Sequence, residues 1–146
     1  GHVVRALRAD PWSRQAVVTI WRPNPPVTKD VPCTVALQWL IREEQLHCVA
    51  TMRSSDAWLG WPYDVFNFST VSLALWLELG RHFAPRGLGS LYLTAGSQHL
   101  YERDANGALR CLEERDERDD REETPIGKQV NTADELVDWL WEIARG

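Results

Sequence analysis

Between Val31 and Asp64 the chain crowds two cysteines, two arginines, two serines and two aspartates around a single apolar hairpin pattern. Cys33 follows Pro32, and the run Arg53-Ser54-Ser55-Asp56-Ala57-Trp58-Leu59-Gly60-Trp61-Pro62-Tyr63-Asp64 follows the hairpin. A chain needing only a core has little reason to gather these types in one place. Cys33 is the candidate nucleophile. A thiol of ordinary pKa is mostly protonated at neutral pH, so a reactive cysteine needs a cation nearby. Taken alone, a cysteine opening a strand is more often a small apolar core residue. Its neighbours are what make chemistry the better reading.

The elements that must position these residues are legible in part. Residues 3–9 read as the end of a helix, and Asp10 to Gln15 as a turn, because Pro11 biases its predecessor away from helix. Ala16 to Trp21 is short and β-branched, hence a strand. Arg22 to Pro32 holds four prolines and reads as loop. Thr34 to Ile41 and Leu46 to Arg53 alternate in the manner of an antiparallel hairpin turning at Arg42 to Gln45. Both its faces are fairly apolar, so both should be covered, one by another subunit. Ser54 to Tyr63 reads as loop.

From Asp64 to Phe83 the spacing predicts a helix with Val65, Phe68, Ser72, Leu75, Trp76 and Leu79 on one face. Ser90 to Ala95 reads as a strand. Asn131 or Thr132 caps a final amphipathic helix, Ala133 to Ala144. Helices and strands mixed around an antiparallel hairpin predict an α+β fold. The expected organisation is a catalytic region over residues 1–112, a charged connection over 113–130 and a C-terminal helix over 131–146.

At 146 residues one domain is expected. Hydrophobic residues make up 44% and charged residues 25%, ordinary proportions for a globular chain. No apolar run is long enough to span a bilayer, and no signal layout opens the chain. The three cysteines lack metal spacing and suit a reducing, cytoplasmic setting; no metal is expected. A net charge of −5 argues against a requirement for nucleic acid. Much of that charge lies in Glu113 to Glu123, so the remainder is near neutral and can still bind an anion.

The run from Arg53 to Asp64 resembles the thymidylate synthase family, and in particular its nucleotide hydroxymethylase branch. The family pattern is R-S-x-D-x-x-L-G-x-P-[FY]-N, with Asp replacing the last Asn in members acting on cytidylates. Val31-Pro32-Cys33 is similar to the family's P-C nucleophile, and His99-Leu100-Tyr101 to its H-x-Y. Asp10-Pro11-Trp12-Ser13-Arg14 resembles the family's phosphate-binding segment. Order and intervals agree over about Arg5 to Tyr101. Three departures stand out: Cys33 lies close to the start of this sequence, Thr34 and Gln15 replace a His and an Arg, and the tail after Glu102 differs.

The resemblance implies a mixed sheet packed with helices, one sheet face serving dimerisation. It implies that Cys33 adds to C6 of a pyrimidine ring and that Arg53 supplies the cation. C5 would then take a one-carbon unit from 5,10-methylenetetrahydrofolate. Arg14 (from the partner of a homodimer), Arg53 and Ser54 would bind the 5′-phosphate of a nucleoside monophosphate. His99 and Tyr101 would hold a ribose hydroxyl, since alternate residues of an extended segment point the same way. Asp56 would contact the folate, with Gly60, Trp58 and Trp61 lining its site; a loop-capping role for Asp56 is the alternative. Asp64 would read the base.

An ionised carboxylate only accepts hydrogen bonds, so at that position it suits the 4-amino group of cytosine and opposes O4 of uracil. Asp64 could instead cap the helix. The expected activity is hydroxymethylation of dCMP or CMP. The alternatives are methylation of dUMP or dCMP, and a non-catalytic member binding nucleotide or protein. The front part of the family fold would lie outside this sequence or on another chain.

Overall fold

A computed structural model describes residues 1–80 and 85–115, together with 134, 135, 137 and 138. Helix α1 (His2–Ala9) leads through a turn to β1 (Val17–Thr19) and a proline-rich loop. The hairpin follows as β2 (Thr34–Arg42) and β3 (Gln45–Met52). Then come β4 (Ser55–Asp56), α2 (Gly60–Gly80), β5 (Gly87–Ala95) and β6 (Gln98–His99). A 3-10 turn (Glu102–Asp104) leads into α3 (Ala105–Arg115).

The strands form one four-stranded sheet, β1-β2-β3-β5, and one two-stranded sheet, β4-β6. β1, β2 and β3 are mutually antiparallel, whereas β5 runs parallel to β3. A parallel return needs a crossover, and α2 supplies it. The fold is α+β, a mixed sheet packed with helices, as the pattern of elements predicted.

One face of the hairpin makes the core. Leu37, Trp39 and Ile41 of β2 and Leu46, Cys48, Ala50 and Met52 of β3 are buried there, against Leu7 of α1 and Phe68 and Leu79 of α2. Period-two alternation, read correctly from the sequence, sets this face. The opposite face holds Gln38, Leu40, His47 and Val49 and is only partly covered within the chain. Inside the core Trp39 Nε1 donates to Ser72 Oγ at 2.9 Å, and Ser72 Oγ donates to the Phe68 carbonyl at 2.7 Å. A polar Ser on the buried face of α2 is thereby satisfied. Burial pushes the Cys48 thiol up, as suits an inert core cysteine. Cys111 is exposed on α3.

Several boundaries differ from expectation. The hairpin turns at two residues, Glu43 (φ 49°) and Glu44 (φ 60°), because β2 and β3 each extend one residue into the expected four-residue turn. Left-handed backbone at two non-glycine residues costs free energy, and Glu44 is held there by Arg86, whose Nε lies 2.7 Å from Glu44 Oε2. α2 starts at Gly60 rather than Asp64, since Pro62 within the first turn has no N–H to lose from the helical ladder. Val65, placed by periodicity on the buried face of α2, is exposed. The boundary expected at residue 112 falls inside α3. Residues 116–130 of the charged connection and most of the C-terminal segment 131–146 lie outside the described residues, as do 81–84.

A bulge places His47 opposite the Gly89-Ser90 step of β5, where the register shifts between Leu46 and Cys48. Ser90 N–H donates to His47 Nδ1 at 3.0 Å, and the ring occupies the space a Gly89 side chain would need. A Cβ there would stand 2.5 Å from His47 Cε1. Gly89→Ala is therefore expected to expel the imidazole, break this bond and destabilise the fold by about 1–3 kcal/mol. A drop in thermal midpoint measures it; an unchanged midpoint would show that the ring relocates without cost.

Candidate active site

Cys33 enters β2 between the ends of its two neighbouring strands. Arg53, one residue beyond β3, donates its backbone N–H to the Cys33 carbonyl at 2.8 Å. Its guanidinium turns back along the same segment, Nε to the Pro32 carbonyl at 3.2 Å and Nη2 to the Val31 carbonyl at 2.9 Å. A permanent cation is thus held against the backbone that carries Cys33, and Cys33 itself is exposed. Pairing of β2 with β3 creates this neighbourhood. A second bulge, at the extra residue between Thr34 and Ala36, bends β2 beside Cys33.

The small sheet β4-β6 ties the Arg53–Asp64 run to the His99–Tyr101 segment. Gly96 N–H donates to the Met52 carbonyl at 3.0 Å, and a Cβ on Gly96 would stand 3.2 Å from the Arg53 carbonyl. A side chain at 96 would need the Arg53 backbone to give by a few tenths of an ångström, so glycine eases the close approach of β5 to the end of β3. Ser55 N–H then donates to the Ser97 carbonyl at 2.9 Å and Ala57 N–H to the His99 carbonyl at 2.8 Å. Ser54 Oγ and His99 Nδ1 come to 3.5 Å, at the edge of hydrogen bonding. The His99 and Tyr101 rings meet edge to face at 4.9 Å, on the same side of their segment. Arg103, which the motif did not single out, lies over the Tyr101 ring at 5.0 Å. Its only sequence signal is the two-residue spacing from Tyr101.

Asp56 is occupied by backbone. Its carboxylate accepts the N–H of Trp58 at 3.0 Å and of Leu59 at 3.3 Å. These bonds, the Trp58 N–H first, hold the carboxyl below the usual aspartate value, and His99 adds to the effect. The loop-capping alternative for Asp56 is thus what its hydrogen bonds describe. Gly60 sits where a Cβ would stand 3.2 Å from the Asp56 Cβ. The Trp58 indole lies on Gly107 of α3, its Cζ2 3.0 Å from where a Cβ would stand, so this ring packs against helix. Trp61 is exposed at the start of α2, together with Leu59, Tyr63 and Phe66.

Asp64 lies in the second turn of α2, inside the helix, and so does not cap it. Burial pushes its carboxyl above the usual aspartate value, and no hydrogen bond among the described residues offsets that. Such a carboxyl keeps its proton more readily than a solvated one. Arg14 is the site residue the fold does not bring in. Its carbonyl accepts Gln38 Nε2 at 2.8 Å, which anchors it beside the outer sheet face. Gln38 is four residues along β2 from Thr34, about 13 Å at the rise of a strand. Among the described residues no cluster of His, Cys, Asp or Glu could hold a metal, and no helix is long and apolar enough to cross a membrane.

An exposed thiol beside a guanidinium-braced backbone, with serine, histidine and one carboxylate along adjoining strand ends and a second carboxyl in α2, is a candidate thiol-nucleophile site on an α+β sheet. The chain belongs to the thymidylate synthase family, whose model matches residues 1–137. It is 30% identical over 101 residues to a thymidylate synthase of Mycoplasma pneumoniae, a stretch that is 68% of this chain and 33% of that protein. It is also similar to the solved structure of thermostable thymidylate synthase A from Bacillus subtilis, with TM-score 0.66 and 25% identity. That likeness covers 77% of this chain and 39% of the Bacillus chain. The chain thus spans about a third of the length of the curated relative it matches.

Proposed function

We propose that this chain is the nucleophile-bearing part of an enzyme that hydroxymethylates C5 of a cytidylate, either dCMP or CMP. The one-carbon donor in this reading is 5,10-methylenetetrahydrofolate, which supplies a carbon at the oxidation level of formaldehyde. The observation that carries the cytidylate reading is Asp64. Where the family pattern has Asn, this chain has a carboxyl whose burial favours retention of a proton. A carboxyl and cytosine N3 sharing one proton, with the 4-amino group donating to the second oxygen, satisfy both N3 and the 4-amino group. An ionised Asp64 would give uracil O4 no donor.

The thiolate of Cys33 attacks C6, the ring electrons move to C5, and C5 becomes the nucleophile toward the one-carbon unit. Loss of the C5 proton would release tetrahydrofolate from the transferred carbon, water would add to that carbon, and expulsion of the thiolate would restore the ring. Cytidylate, methylene-folate and water balance to hydroxymethylcytidylate and tetrahydrofolate. Arg53 stabilises the thiolate and, with Ser54, the 5′-phosphate; His99 and Tyr101 hold the sugar. The exposed Leu59, Trp61, Tyr63 and Phe66 offer apolar surface to the folate rings near Gly60 and Asp56. Arg14, anchored on the outer sheet face, would reach the site of a partner in a homodimer formed through that face.

Methylation is the competing outcome, since the relatives are named thymidylate synthases. Mass spectrometry of the nucleotide after incubation with methylene-folate separates the two. The 5-hydroxymethyl product with no dihydrofolate is expected. A 5-methyl product with dihydrofolate would replace this reading with methyl transfer.

A further inference from the structure

We infer that Trp21 is a positioning residue for the Cys33 thiol, acting through the Pro32 carbonyl. This rests on the reading of Cys33 as the nucleophile. The loop after β1 opens with Trp21, whose indole N–H donates to the Pro32 carbonyl at 2.7 Å. The same oxygen accepts Arg53 Nε at 3.2 Å, and the Cys33 carbonyl accepts the Arg53 N–H at 2.8 Å. Peptide units are planar, so a residue's direction is set by the two planes that flank it. Both planes flanking Cys33 are therefore pinned, one from the β1 side and one from the β3 side. Together they fix the direction of its Cα–Cβ bond.

The two donors on Pro32 are not equivalent. Arg53 is a long, charged, exposed side chain, and its guanidinium is the group a bound phosphate would attract. When it turns to a phosphate, the Pro32 carbonyl keeps only the indole. Trp21 is itself seated: Ile20 and Trp21 donate their backbone N–H groups to the Val35 carbonyl at 2.9 and 3.3 Å. Its ring forms part of the wall of a cleft of about 300 Å³ with Pro25, Pro26 and Val31. A seated, uncharged donor holds the nucleophile steady while the arginine changes partners. That division of labour explains why two donors converge on one oxygen.

The test is Trp21→Phe in the full chain, with a second variant carrying 3-benzothienylalanine at position 21, which keeps the ring shape and lacks only the N–H. Backbone ¹⁵N relaxation is measured with saturating inorganic phosphate, which engages Arg53. The Cys33 amide order parameter is expected to fall from about 0.85 to below about 0.6, while Val49 and Ala50 in β3 keep theirs. In C5 tritium release, kcat is expected to fall roughly tenfold with the nucleotide KM unchanged. A Cys33 amide equally rigid in the parent and the benzothienyl variant overturns the inference, as does an unchanged kcat. If the parent itself releases no tritium from any nucleotide, the proposed function fails, and the relaxation comparison still decides the role of Trp21.

Discussion

Cys33→Ala is expected to abolish C5 chemistry while leaving the fold and nucleotide binding in place. Nothing else in the site can attack C6. Cys48 is buried in the core and Cys111 is exposed on α3. Removing a covalent nucleophile costs on the order of 10⁴-fold or more in kcat. The exposed side chain of Cys33 contributes little to packing, so the thermal midpoint should move little. A 5-fluorocytidylate, which cannot lose a proton from C5, should trap a covalent adduct on the parent and none on the variant. An adduct on Cys111, or residual turnover within tenfold of the parent, would place the nucleophile elsewhere.

Asp64→Asn is expected to move preference from cytidylate to uridylate. An amide offers one donor and one acceptor, matching uracil O4 and N3–H, whereas an ionised carboxylate only accepts and suits the 4-amino group and a protonated N3 of cytosine. An unmet buried polar contact costs about 1–3 kcal/mol, which is one to two decades of kcat/KM for each nucleotide. The ratio of the two should swing by more than either alone. Stability supplies an independent sign. Burial raises the Asp64 pKa, so the protonated side chain favours folding. That contribution is present below the ordinary aspartate value and is lost as pH rises through the raised one. Neutral Asn should therefore leave the fold at neutral pH unchanged or slightly more stable. A variant that loses activity on both nucleotides together with stability would mean that Asp64 is structural.

The hairpin, α2 and the site motif were legible because each rests on a short-range regularity. Strand alternation put Leu37, Trp39 and Ile41 inward, and helical spacing put Phe68 and Ser72 there. What stayed hidden depends on contacts distant in sequence. Parallel pairing of β3 with β5, and of β4 with β6, leaves no local mark, yet it brings Ser54 to His99. The indole of Trp21 meets Pro32 across a proline loop whose path no periodicity reveals. Asp56 and Asp64 look alike in sequence. Burial and backbone donors separate them, one carboxyl held low by N–H groups and the other pushed up without them. Trp58 and Trp61 divide similarly, one packed on α3 and one exposed.

The most direct test of the central claim is tritium release from C5-labelled dCMP, CMP and dUMP, each with methylenetetrahydrofolate, for the parent and for Cys33→Ala. Release from a cytidylate and not from dUMP, lost in the variant, is the predicted result. Release from dUMP alone would contradict the reading of Asp64. No release from any of the three would contradict one-carbon transfer by this chain.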